Sequence, residues 1–168
     1  MEEEIKFTPI GIVHRNASDD EVRSDASGLE SEIEIYPQYE DALDGLDGFS
    51  HIFAVAYFHK LRPEQRGALK VRPKRLIKYG LKLEDLPLVG VFTLDSPTRP
   101  NPIGLSLARL LRIEDGRKLR VLDLEYFDGT PILDIKPYQA GYRAEEYKIP
   151  RWNTELAEKA GLSPSESV

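Results

Sequence analysis

The run Ser50–His59 (SHIFAVAYFH) is the most apolar stretch of this chain and limits the folds open to it. Its ten residues fall far short of the roughly 18 that a membrane-spanning helix needs. The run carries β-branched and aromatic side chains, which at this length favour a buried strand over a buried helix. We therefore expect a β-sheet in which Ser50–His59 forms a central strand.

Further short segments have the character of strands and are separated by turn residues. Glu32–Ile35 alternates glutamate with isoleucine, and Leu105–Ile113 is predicted as a strand although its leucines permit either period. The others are Phe7–Val13, Leu88–Leu94, Lys118–Glu125 and Pro131–Ile135. Strands outnumber helices without a regular strand–helix alternation, so the pattern predicts a mainly β fold. We expect a small single-sheet β-barrel with a few short helices.

Helical signals are short and lie outside these strands. Pro37–Leu46 is predicted as a short helix or turn, and Pro150–Gly161 as a terminal helix that Asn153 would cap. Asn16–Gly28 lacks apolar periodicity and is predicted as a loop, and the basic segment Leu61–Lys82 as a mobile connection.

Length and composition narrow the class of protein. At 168 residues the chain has the size of one domain, which we divide into a barrel domain over 1–145 and a helical extension and tail over 146–168, with the last seven residues frayed. It has no cysteine, which excludes disulfides, thiolate zinc sites and cysteine nucleophiles. The acidic start MEEEIKF does not resemble a secretory leader, and no membrane span is expected. We expect a cytoplasmic protein.

The charge is acidic overall but unevenly distributed. The formal net charge is −6, yet lysine and arginine cluster in residues 60–82, where Glu64 is the one acid. An anionic partner is therefore possible through a local basic face, and the alternative is an ordinary solvated surface.

Several familiar sites are absent from the sequence. No glycine-rich phosphate loop occurs, because Gly11 and the pair Gly45 and Gly48 lack the required spacing. The three histidines form no metal motif, and no metal site is expected. His51 and His59 lie eight residues apart, roughly 26 Å along a strand at about 3.3 Å per residue. No G-x-S-x-G elbow is present.

The string Arg99–Gly104 (RPNPIG) is the most unusual in the chain. Each proline fixes its own φ and biases the preceding residue towards an extended conformation, so Asn101 is held between Pro100 and Pro102 in a narrow range. A rigid loop that presents an amide and a guanidinium suits ligand recognition. The alternative is a corner between strands that needs only rigidity.

Two other strings contain polar side chains beside predicted strands. In 128–138 (DGTPILDIKPY), Asp134 and Lys136 are two residues apart and lie on one face of a strand, where they either pair with each other or bind a zwitterion. In 47–51 (DGFSH), His51 enters the apolar strand, and His59 leaves it. A histidine there is either structural or a hydrogen-bonding group near neutral pH.

Together these strings resemble the TrmO family, also called YaeB or TsaA-like. The matching motifs are G-F-S-H-I-x6-F-H, G-V-F-x3-S-P-x-R-P-N-P-I-G-L-S and D-G-T-P-I-x-D-I-K-P-Y, with Phe7–Val13 resembling the opening strand and Val71–Pro73 a connecting loop. The resemblance covers residues 5 to 140. It implies a small β-barrel that binds S-adenosylmethionine without a Rossmann domain, a homodimer with the cofactor near its interface, and N6-methylation of threonylcarbamoyl-adenosine-37 in tRNA.

The resemblance also implies site residues. Cofactor contacts are expected from Arg23, in place of a P-R-Q motif, and from Asp95, where the family usually has arginine. The remaining expected cofactor contacts are His59, Lys60, Leu105, Glu125, Tyr126, Phe127 and Asp128. The acid at 95 suits a sulfonium better than RNA phosphate. This leaves open a small-molecule methyltransferase or a module that binds the cofactor without catalysis.

Methyl transfer from a sulfonium is an in-line displacement that needs no metal and depends on holding nucleophile and methyl about 3–3.5 Å apart. On this reading Arg99 and Asn101 position the acceptor base, and Asp134 or His51 takes up the proton. Lys136 and Tyr138 are further candidates for binding the substrate.

Overall fold

The computed structural model describes residues 4–163 of the chain. The described residues divide into two compact units, one within Met1–Lys60 and Ile103–Tyr142, the other within Leu61–Pro102 and Arg143–Val168. The predicted boundary at residue 145 stays a prediction.

The first unit is a closed antiparallel β-barrel of six strands, as the sequence pattern predicts. In chain order the strands are β1 (Gly11–His14), β2 (Glu30–Ile35), β3 (His51–Tyr57), β6 (Ile103–Glu114), β7 (Lys118–Leu122) and β8 (Pro131–Pro137). They lie around the barrel in the order β1-β2-β7-β6-β3-β8, and pairing of Gly11 with Ile132 closes it. The unit also contains helix α1 (Asp19–Ser24) and 3₁₀ turns at Pro37–Leu43 and Ala140–Tyr142.

Alternation along β2 and β7 decides which side chains fill the barrel. Ile33 and Leu119 lie opposite each other and are fully buried. The glutamates between the buried residues of β2 point outward, where Glu32 pairs with Arg120 of β7 at 3.0 Å. The charged face is therefore neutralised across neighbouring strands while the apolar face forms the core.

The pairing of β3 with β6 has small residues inside and large ones outside. Ala54 and Ala56 of β3 are fully buried, and they lie opposite Ser106 and Gly104 of β6. Leu105, Leu107 and Leu111 of β6 face outward, whereas Leu110 belongs to the core. The narrow interior leaves room for the ring of Tyr126, whose hydroxyl donates to the Ala54 carbonyl oxygen at 2.6 Å.

The second unit contains a two-stranded ribbon of β4 (Lys70–Val71) and β5 (Val89–Gly90), and helix α2 (Arg151–Lys159). Its core is built on Leu76, Leu86 and Leu156, with Trp152 packed against them. The 3₁₀ turns are Pro63–Gln65, Lys74–Tyr79, Leu83–Asp85 and Val91–Thr93.

Two predictions of local structure in the first half of the chain are wrong. The predicted loop Asn16–Gly28 contains α1, because Ser18 and Glu21 form a capping box in which the Glu21 N–H donates to Ser18 Oγ at 3.3 Å. The predicted connection Leu61–Lys82 contains β4 and two 3₁₀ turns.

Two further predictions are wrong in detail. Of the predicted strand Leu88–Leu94 only two residues pair, because a 3₁₀ turn begins at Val91. Asn153 does not cap α2, since the cap position is Pro150 and Asn153 lies inside the helix. The predicted frayed end falls mostly outside the described residues. Among the described residues, no helix has the length and apolar composition to cross a membrane.

Candidate functional site

A charged and aromatic cluster lies at one edge of the barrel, where β3 ends and β8 begins. Ala56 near the end of β3 pairs with Ile132 near the start of β8, so the residues after one strand lie beside those before the other. This register brings His59 close to Gly129, where a Cβ would lie 3.8 Å from His59 Nε2. The cluster therefore combines two strings, those of His59 and Asp128, whose residues the family resemblance assigned to one cofactor.

The ring of Phe127 is the centre of this cluster and is contacted by two cations. Arg23 Cζ lies 4.8 Å and Lys60 Nζ 5.3 Å from the ring centroid. Arg23 is positioned by α1, which buries Val22 and leaves the arginine on the outer side. Arg23, Lys60 and Phe127, which the family resemblance assigned to one cofactor, are thus brought together, and their contacts are cation–π in type.

Carboxylates surround this ring. Asp19 binds the Lys60 ammonium with both carboxylate oxygens at 2.8 Å. Asp128 accepts a hydrogen bond from the Arg15 backbone N–H at 2.9 Å. The cluster therefore contains both signs of charge within reach of one aromatic face. Sequence reasoning missed Asp19, although the Ser18–Glu21 capping motif identifies the helix that contains it.

Arg15 organises the loop that contains Phe127 and was not predicted either. Its guanidinium is buried and donates to the carbonyl oxygens of Tyr126 (2.9 Å) and Leu124 (3.0 Å) and to Ser31 Oγ (3.1 Å). The side chains of Leu124 and Tyr126 are buried, and the alternate side chains Glu125 and Phe127 turn outwards. Burial lowers the pKa of Arg15, and Asp128 partly opposes this.

His59 has an altered acid–base character. Its partial burial and, next, the neighbouring Lys60 lower its pKa from the usual 6.5, while Asp19 and Asp128 partly oppose the shift. The imidazole is therefore neutral at pH 7 and can accept a hydrogen bond as well as donate one.

The other predicted cofactor contacts differ in exposure. Glu125 and Leu105 are exposed, and the Glu125 N–H donates to Ser106 Oγ at 3.3 Å. The Tyr126 side chain is only 3% exposed and lies inside the barrel, edge-on to Phe58 at 6.1 Å. Burial raises the pKa of the Tyr126 phenol, so it stays protonated. Its ring supports the site from within rather than facing a ligand.

The predicted catalytic and substrate residues of the barrel lie at the other end of β3 and on its outer side. The ring of His51 packs edge-on against that of Tyr138, with centroids 6.3 Å apart, and His51 Nδ1 is hydrogen-bonded to Ser50 Oγ at 2.9 Å. Asp134 and Lys136 form an ion pair, with Lys136 Nζ 3.1 Å from Asp134 Oδ2. Of the two alternatives for these side chains, mutual pairing or binding of a zwitterion, the structure has the first. His51 and His59 are separated by the length of β3.

Asp95, Arg99 and Asn101 belong to the second unit. Arg99 Nη1 donates to the Leu94 carbonyl oxygen at 3.2 Å, which braces the proline-rich loop from inside. Asp95 and Asn101 are exposed. Asn101 is thus displayed as the sequence predicts; its role in positioning the acceptor base and the cofactor contact of Asp95 stay predictions.

A third group, His14, Glu32 and Glu34, lies on the outer face of β1 and β2, with its potential ligand atoms within 4.8 Å of one another. Glu34 receives hydrogen bonds from Arg117 and His14, which lower its pKa. Glu32 pairs with Arg120. Since both carboxylates already bind arginines, this group is satisfied as an ion-pair network.

Comparison with known proteins shows one consistent similarity. Residues 21–143 match the family model of the tRNA-methyltransferase O N-terminal domain. A probable S-adenosyl-L-methionine-binding protein of Methanothermobacter thermautotrophicus is 42% identical over 138 residues, which cover 80% of this chain and 90% of that protein. A mouse tRNA (adenine(37)-N6)-methyltransferase is 43% identical over 108 residues, which cover 64% of this chain and 23% of the enzyme.

Solved structures share the fold. A crystal structure of TrmO superposes with a TM-score of 0.63 at 27% identity, over 86% of this chain and 61% of the crystallised one. The chain therefore spans less than two thirds of that protein and about a quarter of the mouse enzyme. It spans nearly the whole of the archaeal relative.

Proposed function

Since the chain belongs to the tRNA-methyltransferase O N-terminal domain family, we propose that it binds S-adenosylmethionine and transfers its methyl group to N6 of an adenosine in tRNA. The finer proposal is threonylcarbamoyl-adenosine-37 as the acceptor. The resemblance found in the sequence and the family match agree. The archaeal relative is named for binding this cofactor, and the mouse relative for methylating adenine 37 of tRNA.

The Phe127 ring with its two cations is the observation that carries the proposal. The ring binds a guanidinium and an ammonium within about 5 Å of its centroid, and a sulfonium would bind it in the same way by displacing one of these cations. The site uses no glycine-rich loop. The ring and the carboxylates of Asp19 and Asp128 are the parts of the cluster that suit a positively charged ligand.

The surrounding charges suit the ends of the same molecule. Lys60 and Arg23 provide cations for a carboxylate, and Asp19 and Asp128 provide carboxylates for an ammonium or for ribose hydroxyls. When bound, the cofactor supplies an activated methyl group, and this chain orients it without a metal or a covalent step. Arg15 holds the backbone of the loop that contains Glu125 and Phe127.

The proline-braced loop of the second unit is proposed by itself as a contact for the acceptor base. Asn101 would hold the base edge, because an amide recognises a single-stranded base by hydrogen bonding, and Arg99 would contact the base with the donors that do not brace the loop. Asp134 and His51 are the candidate proton acceptors, and Lys136 and Tyr138 the candidate substrate contacts. Because β3 separates His51 from His59, His51 reaches a cofactor beside Phe127 only if it comes from a second copy of the chain.

A homodimer is therefore part of the proposal, and one face of the barrel supports it. Leu105 and Leu107 of β6 lie opposite Val55 and Phe53 of β3 on the outer side, and Leu105 is 67% exposed. Phe53 packs edge-on against Tyr142 with centroids 4.9 Å apart, which extends the apolar face. An apolar row on the outside of a barrel is typical of an association surface.

Calorimetry with S-adenosylmethionine tests the cofactor proposal. Phe127→Ala removes the ring that holds the cations, and we expect affinity to fall about 5–30-fold, which corresponds to 1–2 kcal/mol. Tyr147→Ala is the matched control, because Tyr147 is an exposed aromatic outside the cluster. Binding by the wild type with no difference between the two variants would remove Phe127 from the site, and no binding at millimolar ligand would end the proposal.

Transfer of labelled methyl to bulk tRNA from a strain without the modification tests the reaction. Incorporation supports a tRNA methyltransferase. Cofactor binding without incorporation would favour the second candidate, a cofactor-binding module or a small-molecule methyltransferase. The name of the archaeal relative and the acidic net charge of this chain favour that alternative.

A further inference from the structure

Charge is strongly segregated along the chain. The segment 61–102 contains nine lysines and arginines against four acids, a formal charge of +5. Because the whole chain carries −6, the remaining residues carry −11. An acidic protein that concentrates positive charge in one segment has a local attraction for anions that its net charge hides.

Several lysines and arginines of this segment form no ion pair with a carboxylate, unlike the arginines of the barrel. In the barrel unit, Arg112 and Arg120 each pair with Glu114, at 2.6 and 2.8 Å. Within residues 4–163, by contrast, no ion pair involves Lys70, Lys74 or Arg75. These side chains are exposed, so their charge remains available to a partner.

The same ribbon exposes large apolar side chains. Phe92 is 78% and Leu69 70% exposed. The 3₁₀ turn Val91–Thr93 causes this for Phe92, because residues three apart lie on one side of such a turn and Val91 and Leu94 are both buried. Phe92 is therefore held outward by the packing of its neighbours.

Backbone pairing places the aromatic ring and a lysine in the same ribbon. Lys70 lies opposite Gly90, and Phe92 belongs to the turn that follows Gly90 directly. The Val91 N–H donates to the Leu69 carbonyl oxygen at 3.0 Å, which continues the pairing up to the turn. An aromatic ring held outward close to the unpaired Lys70 combines the two elements of single-stranded nucleic-acid binding, a stacking face and a phosphate contact.

We propose that the β4–β5 ribbon, with the 3₁₀ turns that follow its two strands, is an RNA-docking surface, on which Phe92 stacks against an unpaired base, Lys70 contacts a phosphate, and Lys74 contacts a further phosphate. This inference rests on the proposed function, since it assigns the tRNA to one surface of this chain. A flexible acidic peptide would use the lysines but would gain little from an exposed phenylalanine. RNA uses both, and is therefore the favoured occupant.

Binding of tRNA and of its anticodon stem-loop to the full chain, measured by fluorescence anisotropy across a range of KCl concentrations, tests this. For Lys70→Gln with Lys74→Gln we expect weaker binding and a salt slope smaller by about 1.5, at roughly 0.7–0.9 per phosphate contact. For Phe92→Ala we expect affinity to fall about 5–100-fold with the slope unchanged. The matched controls are Lys148→Gln and Tyr147→Ala, an exposed cation and an exposed aromatic outside the ribbon.

Two further measurements, the affinity for S-adenosylmethionine and the mass of each variant in solution, distinguish failure of the proposed function from failure of the RNA-docking surface. We expect all four variants to keep the wild-type affinity for S-adenosylmethionine and the wild-type mass by light scattering. Absence of cofactor binding in the wild type would overturn the proposed function itself. Cofactor binding with equal tRNA affinity and slope in ribbon and control variants would overturn the RNA surface alone. A change of oligomeric state confined to the ribbon variants would assign the ribbon to a second copy instead and would also overturn it.

Discussion

Replacing Gly104 by alanine tests how the barrel makes room for the aromatic ring behind the site. A Cβ at Gly104 would lie 2.6 Å from Phe58 Cζ and 2.9 Å from Tyr126 Cε1, well inside the optimal distance of about 3.5–4.0 Å between carbon atoms. The backbone cannot withdraw, because Gly104 pairs with Ala56 in the β3–β6 ladder. Tyr126 cannot withdraw either, because its hydroxyl is bound to Ala54.

The expected loss follows from two opposing effects. Overfilling a packed core costs about 1–3 kcal/mol, and the smaller backbone entropy of unfolded alanine returns about 0.4–1 kcal/mol. We therefore expect Gly104→Ala to lower the free energy of unfolding by about 1–2 kcal/mol. At about 2–4 °C per kcal/mol for a chain of this size, the melting temperature falls by about 2–8 °C.

Gly90→Ala is the matched control for this measurement. Gly90 has an ordinary φ of −63°, and a Cβ there would meet nothing within 4 Å. Urea unfolding followed by circular dichroism should show the control unchanged or slightly stabilised. If Gly104→Ala proves as stable as Gly90→Ala, the interior of the barrel is not filled as the structure indicates, and the argument for Tyr126 as a support of the site fails.

Three further predictions concern the site and the outer face. Arg15→Met should destabilise the chain by about 2–4 kcal/mol in urea, because the buried carbonyls of Leu124 and Tyr126 lose their donor; a loss below about 1 kcal/mol would contradict this. Because the pKa of His59 is lower in the folded chain than in the unfolded chain, the unfolded chain takes up this proton at a higher pH. The contribution of His59 to stability is therefore present above about pH 6.5 and lost as the pH falls below it. An NMR titration midpoint at or above 6.5 would refute the shift. If the wild type forms the proposed dimer, Leu107→Glu should leave the barrel folded but give a monomer by light scattering; a wild-type monomer, or a dimer that the variant leaves unchanged, would exclude this face as the interface.

Much of the barrel follows from short-range pattern. The alternation in Glu32–Ile35 and in Lys118–Glu125 identifies β2 and β7 because one face of each strand meets the core and the other meets water. Alternation also identifies β6 as a strand, but the side chains that face the interior are mostly small ones. Three of its leucines, Leu105, Leu107 and Leu111, face outward, and Gly104, Ser106, Ala108 and Leu110 face the interior.

Features that depend on one local contact, or on contacts between distant residues, were harder to predict. The α1 capping box is visible in the sequence as Ser18 and Glu21, yet so short a helix has no apolar periodicity that would predict it. Arg15 finds its carbonyl partners 109 and 111 residues away, and nothing in the neighbourhood of Arg15 indicates them. The role of Arg15 is seen only in the three-dimensional structure, in which these distant residues come together.

The candidate site was predicted through family resemblance rather than through pattern. Arg23, Lys60 and Phe127 come from three separate parts of the chain, and only matching motifs assign them to one ligand. The structure brings these three together in one unit. The prediction treats Tyr126 like its neighbours, although alternation along 124–127 turns that ring inward.

The segment between β3 and β6 leaves the barrel and returns to it at adjoining positions, since Tyr57 pairs with Ile103. In terms of chain connectivity the excursion is therefore a long hairpin loop whose stem is part of the barrel. The entropic cost of closing such a loop rises only with the logarithm of its length, so tens of residues can be added or removed there for about 1 kcal/mol. An engineer can accordingly lengthen or shorten the turns of this excursion at little cost, as long as the stem pairing at Tyr57 and Ile103 and the core of Leu76 and Leu86 with Leu156 are kept.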